Sequence, residues 1–223
     1  MPQAPEDHHG FIPSSAEDVL RRRVKAELRK RMRGLRGALP ASACAQRSAR
    51  ISERLMSLER FARARAVALF WPMARRREVD LRALDARLRL TGVRVAYPAV
   101  DAQSRDLVFR FVADPEAMIE DSTQPEVAPQ LRGIGLREPS PHEPEALPGE
   151  IDAIVVPALV VDPTGHRIGY GAGYYDRALP RFVPPATSIA VAFDFQLLVE
   201  VPATEGDVRA EYVVTDARTI HAV

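Results

Sequence analysis

The sequence has little of what disulfide-bonded or membrane-spanning proteins need. It contains one cysteine among 223 residues, so no disulfide can form within the chain. Its longest apolar runs, such as residues 66–71 and 151–156, are far shorter than the roughly 20 apolar residues of a membrane-spanning helix. The first fifteen residues are polar and proline-rich, without the apolar segment of a signal peptide. These absences predict a soluble cytoplasmic protein without a membrane partner.

Lysine and net charge are scarce as well. The formal net charge is +1, and Lys25 and Lys30 are the two lysines of a chain whose other cations are arginines, crowded into the first hundred positions. A basic region of this kind fits nucleic acid or a phosphate-bearing small ligand, although a solvated surface explains most of the charges. The basic stretch at residues 21–36 lacks aromatic residues that could stack on bases, so we expect no nucleic-acid partner.

Hydrophobic periodicity predicts the fold class. Apolar residues recur every three or four positions through residues 18–39, which predicts an amphipathic first helix with Lys25 and Arg29 on one face. Further along, short apolar strands alternate with helices, which predicts an α/β fold of three αβα layers with a mostly parallel sheet covered on both faces. The predicted strands are residues 66–70, 93–97, 107–112, 151–156, 188–193 and 212–215. We expect a disordered tail over residues 1–16 and a single domain over residues 17–223.

Residues 162–176 contain the most informative motif. Gly169, Gly171 and Gly173 alternate shortly after a buried strand and directly before a predicted helix. Converging backbone N–H groups and a helix N-terminus suit a phosphate group. The spacing matches neither the P-loop nor the dinucleotide fingerprint. A tight turn that uses glycine only for its backbone freedom remains the alternative.

Acidic and aromatic residues accompany the glycines. Asp176 follows them, and a carboxylate beside phosphate would need a cation such as Mg²⁺, unless it serves the helix dipole. Asp207 is a second metal-directed carboxylate or a plain loop acid. Tyr174 and Tyr175 could stack on a flat heterocycle or simply pack.

From about residue 24 to residue 215 the sequence resembles the 5-formyltetrahydrofolate cyclo-ligase family. The central match is Arg-Ile-Gly-Tyr-Gly-Ala-Gly-Tyr-Tyr-Asp-Arg at residues 167–177. Supporting matches, in the same order along the chain, are residues 25–29, 78–80, 135–139, 151–157, 193–196 and the spacing from Asp207 to residues 213–215. So many matches in order are difficult to obtain by chance.

The resemblance implies an enzyme that uses ATP and Mg²⁺ to convert 5-formyltetrahydrofolate to 5,10-methenyltetrahydrofolate, with release of ADP and phosphate. The substrate would be accepted with or without a polyglutamate tail, and we expect the enzyme to be a monomer. Such a reaction requires positioning and charge neutralisation more than a covalent nucleophile.

The resemblance also implies residue roles. Lys25 and Arg167 would be catalytic, and Asp176 and Asp207 would direct Mg²⁺. We expect the Lys25 ammonium to face solvent when no ligand is bound. The expected nucleotide contacts are Lys25, Arg29, Arg167, Ile168, Gly169, Tyr170, Gly171, Ala172, Gly173, Tyr174 and Tyr175. The expected folate contacts are Trp71, Glu78, Tyr170, Gly171, Gly173 and Tyr174.

Four places depart from the family pattern. Residues 159–161 are Leu-Val-Val, where relatives often carry an aromatic residue soon after Pro157. Ala172 stands where relatives carry glycine or lysine, Gly206 stands where many carry histidine, and residues 75–77 are all arginine. These departures leave a second hypothesis open, namely a family member that binds folate or nucleotide with altered specificity or without turnover.

Overall fold

The structure is a computed structural model that describes residues 15–120 and 136–222. Most of the predicted tail therefore lies outside the described residues. Its last two positions do not belong to a tail, because Ser15 caps the first helix and Ala16 begins it. In the described part of the chain, no helix is long and apolar enough to cross a membrane.

A seven-stranded sheet forms the centre of the molecule. Its strands are Ala66–Ala68 (β1), Arg94–Val100 (β2), Leu107–Phe111 (β3), Ala153–Pro157 (β6), Thr187–Val191 (β9), Tyr212–Val214 (β10) and Thr219–His221 (β11). The order across the sheet is β11-β10-β9-β6-β1-β2-β3. The two edge strands, β3 and β11, run antiparallel to their neighbours, and the five inner strands are parallel. The mostly parallel sheet is thus confirmed.

Two short antiparallel pairs of strands lie outside the main sheet, and the sequence did not predict them. They are Ile119–Glu120 (β4) with Arg137–Glu138 (β5), and Val160–Val161 (β7) with Arg167–Ile168 (β8). Each strand is only two residues long, so its apolar pattern is too brief to stand out from a loop.

Helices cover both faces of the sheet. They are Ala16–Gly37 (α1), Ala41–Ser57 (α2), Glu59–Ala62 (α3), Arg82–Leu90 (α4) and Tyr174–Phe182 (α5). Because alternate residues of a strand point to opposite faces, Val155 packs in one core cluster with Leu55 of α2, and Ile154 packs in another with Leu179 of α5. The predicted three-layer αβα architecture is confirmed.

The first helix packs beside the sheet, on the β7–β8 pair. Met32 of α1 belongs to the same core cluster as Val160 and Ile168. Lys25, Met32 and Arg36 are the buried residues of α1. Two of these three are cations, so the inner face of α1 brings positive charge into the protein.

The second strand continues through Pro98, although the sequence predicted that it would end before this residue. The Leu69 N–H donates a hydrogen bond to the Ala96 carbonyl, so the even-numbered residues of β2 point their backbone groups toward β1. The backbone nitrogen of Pro98 points to the same side, but β1 has already ended at this level of the sheet. The missing proline N–H therefore costs no hydrogen bond in the ladder.

The sheet order reverses beside β1. From β1 the chain first adds β2 and β3 on one side, and it then returns to add β6, β9 and β10 on the other. Loops that leave the C-terminal ends of β1 and β6 diverge at such a switch point and leave a crevice, where ligands of open α/β sheets bind.

Candidate functional site

A cavity of about 650 Å³ opens at this switch point. Phe70 follows β1, Pro98 lies in β2 and Pro157 ends β6, and all three line the cavity. All predicted site residues line it as well: Lys25, Arg29, Trp71, Glu78, Arg167, Ile168, Gly169, Tyr170, Gly171, Ala172, Gly173, Tyr174, Tyr175, Asp176 and Asp207. The structure thus brings together residues from α1, the loop after β1, the glycine loop and the segment before β10, and their individual roles stay predictions.

The glycine loop joins β8 to α5 and comes close to α1. Gly171 and Gly173 have φ angles of +102° and +68°, which other residues adopt only with strain. A Cβ atom on Gly171 would lie 3.4 Å from Cζ of Arg29. The Nε of Arg29 donates a hydrogen bond of 2.9 Å to the Gly169 carbonyl. Glycine therefore allows the loop to adopt its turn and the guanidinium to lie against it.

Lys25 is buried, which contradicts the expectation of a solvent-facing ammonium. The residue is 6% exposed. Its Nζ donates a 2.8 Å hydrogen bond to the Thr204 hydroxyl and forms an ion pair with Asp207. The Thr204 N–H donates to the same Asp207 oxygen at 2.7 Å. A cation removed from water needs a counter-charge, and the sequence did not reveal that Asp207, 182 positions along the chain, supplies it.

Arg167 ties the glycine loop to the same segment. It is 8% exposed, and it donates a 2.8 Å hydrogen bond to Asp176 and another to the Val208 carbonyl. The Val208 N–H donates to the same Asp176 oxygen at 3.2 Å. Because Asp207 precedes Val208 directly, these contacts bring the two predicted metal ligands to one corner of the cavity.

This corner suits a magnesium ion that a phosphate helps to bind. In the described residues, Asp176 Oδ2 and Asp207 Oδ1 make no hydrogen bond, because each pairing uses only the other oxygen. No group of three or more His, Cys, Asp or Glu that could hold a metal occurs in that part of the chain. Mg²⁺ is commonly held by one or two carboxylates together with substrate phosphates and water, so the two free oxygens fit the ion.

Arg29 is the third cation at this corner. Burial and the neighbouring Arg33 lower the pKa of Arg29, and Asp207 opposes them. A guanidinium nevertheless stays protonated at neutral pH. We call this region, consisting of Lys25, Arg29, Arg167, Asp176 and Asp207, the cationic end of the cavity.

The other side of the cavity, the Glu78 end, consists of Trp71, Glu78 and Tyr170. Glu78 is 5% exposed, and one of its oxygens accepts a 2.7 Å hydrogen bond from the Tyr170 hydroxyl. The other oxygen accepts a 2.8 Å hydrogen bond from the Met73 N–H. Burial raises the pKa of Glu78, and the positive charge of Arg36 opposes this shift.

Aromatic rings complete the wall at this end. Trp71 meets the edge of Tyr97 with ring centroids 6.0 Å apart, and the Arg137 guanidinium lies 5.6 Å from the Trp71 ring. Tyr174 opens α5 under the guanidinium of Arg177 at 5.4 Å. The rings of Trp71 and Tyr174 border the cavity, where a flat ligand could lie against them.

The sequence analysis did not predict several residues that are candidates for a functional role. Thr204, Arg137 and Glu138 line the cavity, and Arg36 donates a 2.5 Å hydrogen bond to the Tyr170 hydroxyl. Arg137 and Glu138 lie within the matched residues 135–139, which was a usable signal. Arg36 is also recoverable, because it falls on the Lys25 face of α1. No pattern in the sequence pointed to Thr204, because its role depends on a contact with Lys25 of the distant helix α1.

Comparisons with known proteins identify the family of this chain. The sequence profile of the 5-formyltetrahydrofolate cyclo-ligase family matches residues 21–216. A 5-formyltetrahydrofolate cyclo-ligase of Mycolicibacterium smegmatis is 49% identical over 91 residues, which are 40% of this chain and 47% of that protein. The mouse (Mus musculus) protein of the same name is 27% identical over 201 residues, covering 87% of this chain and 92% of the relative.

A solved structure is also similar. The NMR structure of the 5,10-methenyltetrahydrofolate synthetase of Aquifex aeolicus superposes with a TM-score of 0.72 at 27% identity, over 89% of this chain and 93% of that chain. The resemblance seen in the sequence and the α/β fold class are thus both confirmed.

Proposed function

Because the chain belongs to the 5-formyltetrahydrofolate cyclo-ligase family, we propose that it converts 5-formyltetrahydrofolate to 5,10-methenyltetrahydrofolate. The reaction consumes ATP, requires Mg²⁺ and releases ADP and phosphate. The main supporting observation is that a single cavity joins the cationic end to the Glu78 end. A phosphoryl donor and a formyl acceptor must meet in one site, and about 650 Å³ lies within the usual range of small-molecule cavities.

The cationic end would neutralise the transferring phosphoryl group. ATP supplies the phosphoryl group that turns the formyl oxygen into a leaving group. Arg29 and Arg167 would contact phosphate oxygens as the charge redistributes, and Lys25 would share its positive charge between Asp207 and a phosphate. Asp176 and Asp207 would bind Mg²⁺ through their free oxygens. None of these side chains needs to form a covalent bond with the substrate.

The Glu78 end would hold the folate. A pterin presents a row of N–H donors, and each oxygen of a carboxylate has a second lone pair when one is already used. Glu78 lines the cavity and can therefore accept from a ligand without losing Tyr170 or Met73. Trp71 and Tyr174 line the cavity, and their rings would stack on the flat pterin. Binding here would direct the formyl group toward the cationic end.

The proposal is tested by absorbance near the methenyl-folate band. Mg-ATP is added to purified protein with 5-formyltetrahydrofolate, and we expect a rise that requires both ATP and Mg²⁺. A flat trace from folded protein refutes turnover. If 5-formyltetrahydrofolate or ATP still binds, the alternative of a non-catalytic or altered-specificity member replaces the proposal.

The metal assignment has its own test. Asp176→Ala removes a proposed Mg²⁺ ligand, and we expect the Mg²⁺ concentration for half-maximal turnover to rise roughly tenfold or more. Asp114→Ala is the control, since this exposed residue only caps a short 3₁₀ turn outside the cavity. An unchanged Mg²⁺ dependence in Asp176→Ala contradicts the assignment.

The proposal extends to the working state of the enzyme. We propose a monomer in the cytoplasm, where ATP is supplied, acting on folate with or without a polyglutamate tail and without a nucleic-acid or membrane partner. The monomer is supported by a cavity whose two ends both come from one chain. Light scattering should give a mass near 24.7 kDa, and a mass twice as large contradicts it.

A further inference from the structure

Two buried opposite charges, one at the cavity wall and one behind it, lie on either side of a phenol. Arg36 is 3% exposed and Glu78 is 5% exposed. Arg36 donates a 2.5 Å hydrogen bond to the Tyr170 hydroxyl, which donates a 2.7 Å hydrogen bond to Glu78. Within the described residues, no carboxylate forms a direct ion pair with Arg36. The buried guanidinium therefore has Glu78 as its counter-charge across the phenol.

The chemistry of the three groups fixes the direction of these hydrogen bonds. A guanidinium has five donors and no acceptor, so the Tyr170 oxygen must accept from Arg36. The phenolic proton is then available for Glu78. The second oxygen of Glu78 already accepts from the Met73 N–H. Both oxygens thus face donors, which favours the carboxylate over the carboxylic acid.

Arg36 is the charge that most strongly opposes the burial of Glu78. Burial raises the pKa of Glu78, and Arg36 is the largest influence in the opposite direction, ahead of a backbone N–H, Tyr170 and Arg76. Burial, and after it the charge of Glu78, raises the pKa of Tyr175, so Tyr175 lies within the electrostatic reach of this carboxylate. The charged and titratable groups around Glu78 therefore come from α1, its own loop, the glycine loop and α5.

We propose that Arg36 and Tyr170 are positioning residues, which hold Glu78 at the cavity wall as an ionised acceptor for the folate. This role rests on the proposed function, because it is the folate that Glu78 is proposed to contact. Arg36 does not line the cavity, so it acts on the ligand only through Tyr170 and Glu78. Since Lys25 and Arg29 lie on the same helix, α1 would serve both ends of the site.

Trp71 provides a readout that does not need turnover. It is the single tryptophan of the chain, and it lines the same cavity as Glu78. Titration of 5-formyltetrahydrofolate against Trp71 fluorescence, without ATP and between pH 6 and 9, gives a Kd at each pH. The proteins compared are the wild type, Arg36→Met, Tyr170→Phe and a control, Arg31→Met, whose side chain is exposed on α1.

We expect Arg36→Met to raise the Kd roughly tenfold or more at neutral pH, as expected for a lost hydrogen bond to a charged network. Because Glu78 then holds its proton to higher pH, the loss of binding on the acid side should extend to higher pH. Tyr170→Phe should change the Kd in the same direction by a smaller factor, since Arg36 remains. Arg31→Met should match the wild type.

Two further variants separate positioning from a merely structural role. Arg36→Lys keeps a donor and a positive charge, so it should restore part of the pH dependence. In a Glu78→Gln background, Arg36→Met should add little to the Kd, because the two residues act as one unit. The proposal is overturned if Arg36→Met lowers only the melting temperature and leaves the pH dependence of Kd as in the wild type. It is equally overturned if the effects of Arg36→Met and Glu78→Gln are additive.

The outcome also distinguishes this role from the proposed function. A wild-type protein that binds 5-formyltetrahydrofolate with the expected variant effects, but produces no methenyl band, refutes turnover and supports the positioning role. Normal turnover with unchanged binding in Arg36→Met refutes the positioning role alone. A wild type that does not bind 5-formyltetrahydrofolate refutes both.

Discussion

The two ends of the cavity place their charges in opposite ways. At the cationic end the two cations that form ion pairs are buried and their carboxylates are more exposed: the side chains are 7% and 20% exposed for Lys25 and Asp207, and 4% and 30% for Arg167 and Asp176. At the other end the carboxylate of Glu78 is itself buried, and its cation lies deeper in the protein. One end pairs its charges directly, whereas the other separates them by a neutral phenol.

This difference indicates how each end meets its ligand. A carboxylate that is partly in water can leave a cation at modest cost, because water takes over its solvation. Under the proposed function, a phosphate would therefore replace the carboxylates at the cationic end or share their cations. A buried carboxylate has no such exchange available. The Glu78 end is accordingly preformed, whereas under the proposed function the cationic end would adjust its pairing when phosphate and metal bind.

The largest effect should come from removing Lys25, the cation proposed to share its charge between Asp207 and a phosphate. Lys25→Met should lower kcat/KM for ATP by about 10²-fold or more, as for lost transition-state donors. It should lower the free energy of unfolding by only about 1 kcal/mol, because Asp207 can rehydrate. Steady-state kinetics and urea unfolding measure the two quantities. Lys30→Met is the control, since Lys30 is the exposed second lysine of α1.

A double variant sharpens this result. Lys25→Met with Asp207→Asn removes both charges, so we expect stability to recover while turnover stays low. If the double variant regains turnover, Lys25 is needed only to neutralise Asp207, and the proposed exchange with phosphate is wrong.

The buried carboxylate of Glu78 should make the folding stability of the protein depend on pH. Because burial holds the pKa of Glu78 above its ordinary value of 4.5, the folded state binds more protons than the unfolded state in the window just above that value. The wild type therefore loses stability from this source as the pH rises through the window. Glu78→Gln cannot titrate at this position. The melting temperature of the variant minus that of the wild type should therefore increase as the pH rises.

The matched control for this variant is Glu27→Gln on the exposed face of α1. Its melting temperature should differ from that of the wild type by a constant amount across the same pH range. A constant difference for Glu78→Gln as well would show that Glu78 has an ordinary pKa, and the contrast between the two ends would fail.

The smallest effect should come from a substitution in the glycine loop, which contributes to both ends of the cavity. Gly171→Ala places a Cβ against Arg29 and strains a positive φ angle, so we expect a loss of about 1 kcal/mol of stability and a several-fold higher KM for ATP. Gly92→Ala has a similar φ angle of +80° with no atom near its Cβ. It should lose similar stability in unfolding experiments without a change in KM. Equal KM values in the two variants would exclude the close approach of Arg29 as a functional contact.

The sequence was most informative where chemistry depends on neighbours in the chain. The glycine loop and the pairing of Lys25 with Arg29 on one face of α1 are local patterns, and both predicted residues that line the cavity. The parallel sheet followed from the alternation of short apolar runs with helices. The resemblance to a known family added Glu78, which local patterns alone did not single out, and it favoured a metal-directed role for Asp207 over that of a plain loop acid.

The wrong and missed features depend on contacts across the chain. The burial of Lys25 comes from Asp207, and the importance of Arg36 comes from Tyr170, 134 positions away. Pro98 was expected to end its strand, because a sequence does not show that the neighbouring strand stops first. Pairing partners of this kind are set by the tertiary structure, so residue type and spacing could not reveal them.

The spacing of the cations along α1 makes the length of this helix part of its chemistry. A helix turns by about 100° and rises about 1.5 Å with each residue. One residue inserted between Arg29 and Arg36 would rotate Arg36 away from Tyr170, or rotate Lys25 and Arg29 away from the cavity. Seven inserted residues would restore the direction but displace it by roughly 10 Å. Between these positions, insertions and deletions should therefore be far less tolerated than substitutions.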